Sequence, residues 1–406
     1  MSPTIAVAHY PEGAGHATRM LGIADALQSA GATVRMAGGG AGTEFVELNG
    51  YDEFEPTTVD YVDTYQNGSV WRTISRSLPA SLGRIADYRS WLDAVSPDAL
   101  VTDDMFAAMA AAECAVPLYV LKHDMPGLYR DRIERLGAQF HTTFQLSAAR
   151  EFFYPAVWPE SPADPDRATR VPPVALDGDP RVREAADVVV VPSQFSSLDR
   201  LADRLRSRGY DVINVADDDW DAVPSLLPYI RGADAVVCSG YSTIMDAAVA
   251  GTPCVVSPET AEQDAVADWL ERFDVTGFTV VDDPFAALDA VEEPLEAPDF
   301  DNGAAAVARR VMADMGETAT ISPTAAAERR ADPDCEIATA AGLGTLVGVP
   351  ALATAVVWAT ADVASARNPA RVGTLVRRAE AAPGRLARAV GDGVRDAARR
   401  VRRGGS

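Results

Sequence analysis

Short apolar runs of four or five residues alternate along the chain with longer segments in which apolar residues recur every three or four positions. The short runs predict buried strands, and the longer segments predict helices that pack on a parallel sheet. Strands that alternate with helices are typical of a doubly wound α/β domain. In the first part of the chain the predicted strands are Ile5–Ala8, Thr33–Ala37, Ala99–Thr102 and Leu118–Leu121, and the predicted helices are Ala17–Ser29 and Met105–Glu113.

A second alternation of the same kind follows a proline-rich stretch, residues 154–180, that lacks periodicity. We interpret this stretch as the passage between two Rossmann-like lobes, residues 1–165 and 166–335, that face a cleft. Functional loops in such lobes lie at the carboxyl ends of the strands. The predicted elements of the second lobe are the strands Val188–Pro192, Val212–Val215, Ala235–Cys238, Pro253–Ser257 and Phe278–Val281, and the helices Ser197–Arg208 and Ala304–Met315.

Residues 336–406 differ from both lobes and predict a helical tail. Residues 337–361 carry no charge, whereas 11 arginines and only three acidic residues follow between Arg367 and Ser406. An apolar segment followed by a basic amphipathic helix is typical of association with an anionic membrane surface. A buried helical hairpin that closes the second lobe is the alternative. Because the first residues lack the basic start and long apolar run of a secretory signal, we expect a cytoplasmic, membrane-associated protein.

The composition is strongly acidic. The chain has 59 acidic and 36 basic residues, a net charge of −23, and Lys122 is its only lysine. Carboxylates in excess along the whole chain are typical of proteins adapted to molar salt, where screening removes their self-repulsion. We therefore expect a halophilic, archaeal host and no nucleic-acid partner. The four cysteines have neither a disulfide framework nor metal-site spacing, and we expect no metal and no cofactor.

The segment from residue 238 to residue 264 carries the most specific pattern. Ser239 and Gly240 join a predicted strand to a predicted helix. Such a turn leaves backbone N–H groups and the positive end of the helix dipole free for a diphosphate. Thr243 and Asp246 lie in the first two turns of that helix, where the carboxyl group would accept hydrogen bonds from a ribose diol. An ordinary turn of a doubly wound domain is the alternative.

Two other loops of the second lobe are expected to border the same site. Glu262 and Gln263 follow the next predicted strand and would hold sugar hydroxyls. Ser193 follows the first strand of this lobe, in a loop that is expected to open into the cleft.

The loop after the first strand contains two glycines and a histidine. Gly13 and Gly15 allow a tight backbone, and His16 follows at the start of a predicted helix. His16 is a candidate general base or phosphate ligand, because imidazole titrates near neutral pH; a structural role is the alternative. A dinucleotide-binding fingerprint is disfavoured, because it needs a glycine where the chain has Thr18 and an acid where it has Gly38–Gly40.

Two aspartates follow the strand that begins at Ala99. Asp103 is an alternative catalytic base, and the pair Asp103-Asp104 is equally well explained as a helix N-cap. Arg19 and Arg231 are candidates for neutralising phosphate charge. The sequence contains too many arginines to identify from it which one neutralises the phosphate.

The pattern from Ser239 to Asp246, followed by Gly251-Thr252-Pro253 and the loop with Gln263, resembles the nucleotide-sugar signature of GT-B glycosyltransferases. Within that fold it is most similar to family 28, which includes the bacterial peptidoglycan N-acetylglucosaminyltransferase. The family has a glutamate where this chain has Asp246. The loop around His16, with the sequence GHATR, is similar to that of archaeal and bacterial glycosyltransferase-related proteins.

The resemblance implies an inverting, metal-independent transfer of a sugar from a nucleoside diphosphate sugar, with uridine diphosphate as the expected carrier, to an acceptor hydroxyl. The basic tail suggests an acceptor linked to a lipid. The implied catalytic residues are His16 and Asp103. The implied donor-binding residues are Gly13, Gly15, Ser193, Ser239, Gly240, Thr243, Asp246, Glu262 and Gln263. In the family, the nucleotide base binds near Asn214–Trp220 and Leu226–Ile230.

Two other functions fit the same lobes. A nucleotide-sugar 2-epimerase would need acid–base residues from the second lobe, but all four histidines, His9, His16, His123 and His141, precede it. A non-catalytic GT-B-like protein that anchors a partner at a membrane is the second alternative, because Asp246 replaces the family glutamate. Transfer needs an acceptor, epimerisation needs none, and a binding protein turns over no donor.

Overall fold

The computed structural model describes residues 2–58, 70–128, 132–162, 164–179, 185–193, 198–283 and 285–318. These residues form two lobes, each built on one parallel β-sheet. The predicted fold of two doubly wound α/β lobes is therefore confirmed. The predicted tail, residues 336–406, lies outside the described residues. Among the described helices, none combines the length and apolar character that crossing a membrane requires.

The first lobe has a sheet of seven parallel strands whose runs are largely buried, because helices cover both faces. Its strands are β1 (Thr4–Ala8), β2 (Thr33–Ala37), β3 (Glu53–Phe54), β4 (Ala99–Thr102), β5 (Leu118–Leu121), β6 (Glu151–Pro155) and β7 (Ala168–Val171). Its helices are α1 (Ala14–Ser29), α2 (Thr43–Leu48), α3 (Val70–Val95), α4 (Met105–Glu113) and α5 (Arg132–Ala148). The strand order is β3-β2-β1-β4-β5-β6-β7.

The second lobe has a five-stranded parallel sheet. Its strands are β8 (Val188–Val191), β9 (Val212–Asn214), β10 (Ala235–Cys238), β11 (Cys254–Val256) and β12 (Phe278–Val280). Its helices are α6 (Asp199–Ser207), α7 (Leu227–Gly232), α8 (Tyr241–Ala250), α9 (Ala261–Arg272) and α10 (Ala286–Glu292). The strand order is β12-β11-β10-β8-β9.

Both sheets reverse their winding direction between two central strands. In the first sheet the chain winds outward from β1 to β3 and then returns to place β4 beside β1; in the second it returns after β9 to place β10 beside β8. Ligands of open α/β sheets bind outside the carboxyl ends of the strands at such a switch point. The loops after β1, β4, β8 and β10 are therefore the expected site loops.

A last described helix, α11 (Ala304–Thr318), crosses back from the second lobe to the first. Val307 and Val311 are fully buried in the core around α1. The hydroxyl of Tyr119 donates to Asp314 over 2.7 Å, and Arg310 lies 2.9 Å from Glu151. The first lobe is thus completed by residues that the sequence analysis placed in the second.

The structure also changes two predicted boundaries. The proposed boundary between residues 165 and 166 lies before β7, which pairs with β6 and so belongs to the first sheet. The stretch 154–180 is therefore not only a passage between lobes. The predicted helix that starts at Ser197 is described from Asp199 onward. Helices α3 and α5, whose long amphipathic runs lie between the predicted strands, were not predicted from the sequence.

A buried ion pair fixes α3 against the start of α4. The side chains of Arg84 and Asp104 are fully buried, and both Nε and Nη2 of Arg84 donate to the same carboxylate oxygen over 2.9 and 2.7 Å. Tyr88 adds a third hydrogen bond to that oxygen at 2.8 Å. The other oxygen of Asp104 caps α4 by accepting from the N–H of Phe106 over 2.7 Å.

Removing Arg84 is expected to destabilise the protein strongly. Arg84→Met leaves the Asp104 carboxylate buried without its cation, and we expect the free energy of unfolding to fall by about 3–5 kcal/mol. The matched control is Arg89→Met on the same helix. Arg89 is 52% exposed and pairs with Glu113, so its loss should change stability by less than about 1 kcal/mol. Urea unfolding of both variants tests this, and equal losses would contradict it.

Candidate functional site

The carboxyl ends of β1 and β4 bring a histidine and an aspartate together. His16, in the first turn of α1, places Nδ1 2.7 Å from Oδ2 of Asp103, which directly follows β4. The second oxygen of Asp103 accepts from the backbone N–H of Tyr10 over 2.9 Å. The Asp103 side chain is 3% exposed, whereas that of His16 is 27% exposed. The imidazole is therefore held at Nδ1 and remains open at Nε2.

Arg19, one turn later on α1, completes this cluster. Its Nη2 donates to Oδ2 of Asp103 over 2.9 Å and lies 3.1 Å from Nδ1 of His16. Because an ionised carboxylate only accepts hydrogen bonds, the short contact between His16 and Asp103 assigns the imidazole proton to Nδ1. The guanidinium of Arg19, which only donates, then makes no hydrogen bond to this nitrogen. The lone pair of His16 is then on Nε2, the nitrogen that a general base needs.

The charge state of Asp103 follows from these neighbours. Burial acts to raise the pKa of this carboxyl, but the charge and hydrogen bond of His16, followed by those of Arg19, outweigh it. The pKa of Asp103 is consequently held well below its usual range. Asp103 is therefore a permanent carboxylate that orients His16, and it is unsuited to accept a proton as the base itself.

Two glycines let α1 begin where the lobes touch. Gly13 is the N-cap of α1 with a φ of 76°, a conformation that L side chains rarely adopt. A Cβ on Gly15 would lie 2.2 Å from Oγ of Ser242, in the first turn of α8 in the second lobe. The absence of a side chain at Gly15 thus permits the close approach of the two helix starts.

The second lobe presents a helix N-terminus on its side of this contact. Gly240 is the N-cap of α8 and provides no side-chain cap, so the first N–H groups of the helix have no partner from that residue. Oγ of Ser239 accepts from the N–H of Ser193 over 3.2 Å, which joins the loops after β10 and β8. Thr243 is 8% exposed in the next half-turn. Ser193, Ser239, Gly240 and Thr243 are therefore brought together at the second switch point.

Asp246 lies farther along α8 and has no hydrogen-bond partner among the described residues. Burial raises the pKa of Asp246 to about 7, although the charge of Arg19 partly opposes this. A carboxyl group that is partly buried and unpaired is available to accept hydrogen bonds from a ligand.

A second contact between the lobes involves Glu262. Its carboxylate lies 3.2 Å from Nε2 of His123, which follows β5 of the first lobe. The ring of His123 stacks on that of Tyr241 with 4.1 Å between centroids. Burial, and then the charge of Arg19, lower the pKa of His123. Glu262 therefore contacts the first lobe, and its contact with a sugar hydroxyl stays a prediction.

Gln263 has a local role that the sequence analysis did not include. Its side-chain oxygen accepts from the N–H groups of Glu259 and Thr260 over 2.8 and 3.2 Å, and Thr260 in turn caps the N–H of Gln263. This capping box starts α9. Only the amide nitrogen of Gln263 is left for a sugar hydroxyl, so the predicted contact is weaker than the sequence suggested.

The structure separates other candidates from the site. Asp104 is used in the cap of α4 and in its pair with Arg84, so only Asp103 of the two aspartates faces His16. Arg231 lies on α7 with a 44% exposed side chain near Asp177. His123 was not selected from the sequence, although its place directly after a predicted strand was a usable signal.

One hollow lies apart from the cluster of His16, Asp103 and Arg19. A hollow of about 690 Å³ is located at the amino ends of the strands of the second sheet, beside Asp187 and Asp234, which precede β8 and β10. Among the residues that the structure describes, no three metal-ligating side chains of His, Cys, Asp or Glu converge on one point.

The fold is similar to that of solved glycosyltransferases. The glycosyltransferase SsfS6 from Streptomyces sp. SF2575, complexed with thymidine diphosphate, aligns with a TM-score of 0.52 at 15% identity and covers 78% of this chain and 96% of its own. The glycotransferase of kitacinnamycin aligns with a TM-score of 0.51 at 17% identity, over 72% of this chain and 90% of its own. SnogD from Streptomyces nogalater aligns with a TM-score of 0.50 at 16% identity, over 77% of this chain and 99% of its own.

At these identities the likeness shows the fold, which is the two-lobe, Rossmann-like arrangement of GT-B glycosyltransferases. No protein-family model matches the sequence, and a search of the curated proteins finds no match.

Proposed function

We propose that this protein is a glycosyltransferase that moves a sugar from a nucleoside diphosphate sugar to an acceptor hydroxyl. The observation that carries the proposal is the pairing of His16 with Asp103 at one switch point, directly opposite the start of α8 at the other. A base and an anion-binding helix end on facing lobes are the two groups that sugar transfer requires. The GT-B fold supports this function.

The proposed reaction is a single displacement. The acceptor hydroxyl gives its proton to Nε2 of His16 while its oxygen bonds to the anomeric carbon of the donor sugar. The bond from that carbon to the β-phosphate oxygen breaks, and its electron pair leaves with the nucleoside diphosphate. Asp103 stabilises the resulting imidazolium, and the N–H groups at the start of α8 stabilise the leaving diphosphate. Attack opposite the leaving group inverts the anomeric configuration, as the resemblance to family 28 implies.

For the donor, we propose a uridine diphosphate sugar. Asp246 has no partner within the described part of the chain and would accept hydrogen bonds from both hydroxyls of a ribose. SsfS6 is complexed with thymidine diphosphate, which lacks the 2′-hydroxyl, so thymidine diphosphate sugars are the alternative donors. Glu262 and the amide nitrogen of Gln263 would then contact the sugar.

Asp246→Asn is expected to change the pH dependence of stability. Because burial raises the pKa of Asp246 to about 7, ionisation weakens the folded state as pH rises from about 4 through 7. At pH 8 the variant should therefore be more stable than the wild type, by on the order of 1–3 kcal/mol. At about pH 3.5, below the value of about 3.9 expected for an unfolded chain, the two should be equal. Urea unfolding at both pH values tests this; a difference that does not depend on pH would contradict it.

For the acceptor, we propose a molecule linked to a lipid, presented at an anionic membrane. The support is the uncharged segment 337–361 and the 11 arginines between Arg367 and Ser406. The full chain should sediment with vesicles that contain anionic lipid, and this binding should weaken as salt rises. Equal binding to neutral vesicles would contradict the electrostatic part of this proposal.

The function is tested with labelled uridine and thymidine diphosphate sugars, in molar potassium chloride because of the net charge of −23, with and without a lipid extract from a halophile. Label that reaches the organic phase only with extract supports the proposed transfer. A new sugar epimer formed without acceptor would instead indicate an epimerase. A folded protein that consumes no donor under either condition would indicate a binding protein.

A further inference from the structure

The guanidinium of Arg19 is buried at the junction of the lobes and uses only part of its hydrogen-bonding capacity. The side chain is 3% exposed, and Nη2 donates to Asp103. Nη1 is enclosed and has no hydrogen-bond partner among the described residues. A buried donor left unpaired costs roughly 1–3 kcal/mol. A partner that arrives with a ligand would remove this cost.

The position of Arg19 indicates where a ligand that supplies this hydrogen-bond partner would bind. Its guanidinium carbon lies 5.7 Å from the ring centroid of Tyr241, the first residue of α8. Its charge also acts on Asp246 of the same helix, where it opposes the effect of burial on the pKa. Arg19 thus belongs to the first lobe but reaches the helix start of the second lobe.

Arg19 and Asp246 have complementary unused hydrogen-bonding groups, a donor on Arg19 and acceptors on Asp246. Among the described residues, none accepts from Nη1 and none donates to the carboxyl group of Asp246. A molecule that carries anionic oxygens next to hydroxyl groups would satisfy both. A nucleoside diphosphate has this chemistry, because its phosphate oxygens accept and its ribose hydroxyls donate.

We propose that Arg19 is a donor-binding residue supplied by the first lobe, with Nη1 on the diphosphate while Nη2 stays on Asp103. This inference rests on the proposed function. One guanidinium then links the leaving group to the aspartate that orients the base. Because Nη1 is enclosed and the guanidinium lies against Tyr241 of the second lobe, the donor reaches this nitrogen only after the two lobes separate.

The test is calorimetric titration of the full-length protein with uridine diphosphate, uridine, thymidine diphosphate and thymidine. The wild type should prefer each diphosphate to its nucleoside. In Arg19→Gln we expect diphosphate affinity to fall about ten- to hundredfold, since one charge-assisted hydrogen bond is lost, while nucleoside affinity is unchanged. Arg231→Gln, the same substitution at an exposed site, should bind like the wild type.

Arg19→Lys covers the case in which the glutamine variant does not fold. The lysine ammonium still neutralises Asp103, but it cannot contact Asp103 and the diphosphate at once as the two terminal nitrogens of the guanidinium do. The preference for diphosphate should therefore also fall. An undiminished preference in whichever variants fold would overturn the role of Arg19 and leave the proposed function intact. A wild-type protein without any preference for diphosphate would overturn both.

Discussion

Replacing His16 by glutamine is expected to lower kcat for sugar transfer by about a thousandfold. Glutamine keeps much of the side-chain size and a hydrogen bond to Asp103, but it has no lone pair basic enough to take the acceptor proton. Because the start of α8 and Asp246 are untouched, the dissociation constant for the nucleoside diphosphate should stay close to the wild-type value. Transfer rates and calorimetric titration of the same preparation measure both quantities.

The two readouts together separate a role of His16 in proton transfer from a role in donor binding. A loss of transfer with intact nucleotide binding places His16 in the chemical step. Transfer at the wild-type rate in the glutamine variant would contradict the base assignment. Loss of transfer together with loss of nucleotide binding would contradict it too, because His16 would then act as a phosphate ligand.

Asp103→Asn is expected to lower kcat by about a hundred- to ten-thousandfold. This loss is comparable to that of the His16 variant but has a different cause. An amide nitrogen facing Nδ1 favours the tautomer that carries its proton on Nε2, and this tautomer cannot act as the base. Arg19 also loses its carboxylate partner and remains buried. We therefore expect a stability loss of about 3–5 kcal/mol in the same variant. Transfer kinetics and urea unfolding measure the two losses.

The stability loss has a predicted pH dependence. Because the pKa of Asp103 in the folded protein is held below the value of about 3.9 expected for an unfolded chain, the carboxylate stabilises the fold at neutral pH. This contribution is lost as pH falls below about 4 and through the folded pKa. The difference between wild type and Asp103→Asn should consequently be largest at pH 7 and shrink in acid. A difference that grows in acid would contradict the assigned charge.

The regular parts of the fold were predictable because their physical signals are local. Runs such as Val188–Val191 and Ala99–Thr102 are apolar without interruption, which is the pattern of strands covered on both faces. The placement of His16 and Ser239 at carboxyl ends of strands followed from the same alternation. Sequence therefore predicted two α/β lobes with their functional loops at the carboxyl ends of the strands, whereas the switch points follow from the observed strand order.

The remaining features depend on contacts between distant residues. Nothing near Asp103 and Asp104 in the sequence shows that one faces His16 while the other pairs with Arg84. The use of the Gln263 oxygen in a capping box competes with the sugar contact that the resemblance suggested. Arg19 was one of many arginines, and only its burial against the second lobe distinguishes it.

A crystal structure of the protein with uridine diphosphate tests the central claim most directly. We expect the β-phosphate about 3 Å from the N–H groups at the start of α8, with the ribose at Asp246 and Nε2 of His16 facing the position of the departing sugar. A nucleotide bound instead in the hollow beside Asp187 and Asp234, with the contact between Gly15 and Ser242 undisturbed, would contradict it.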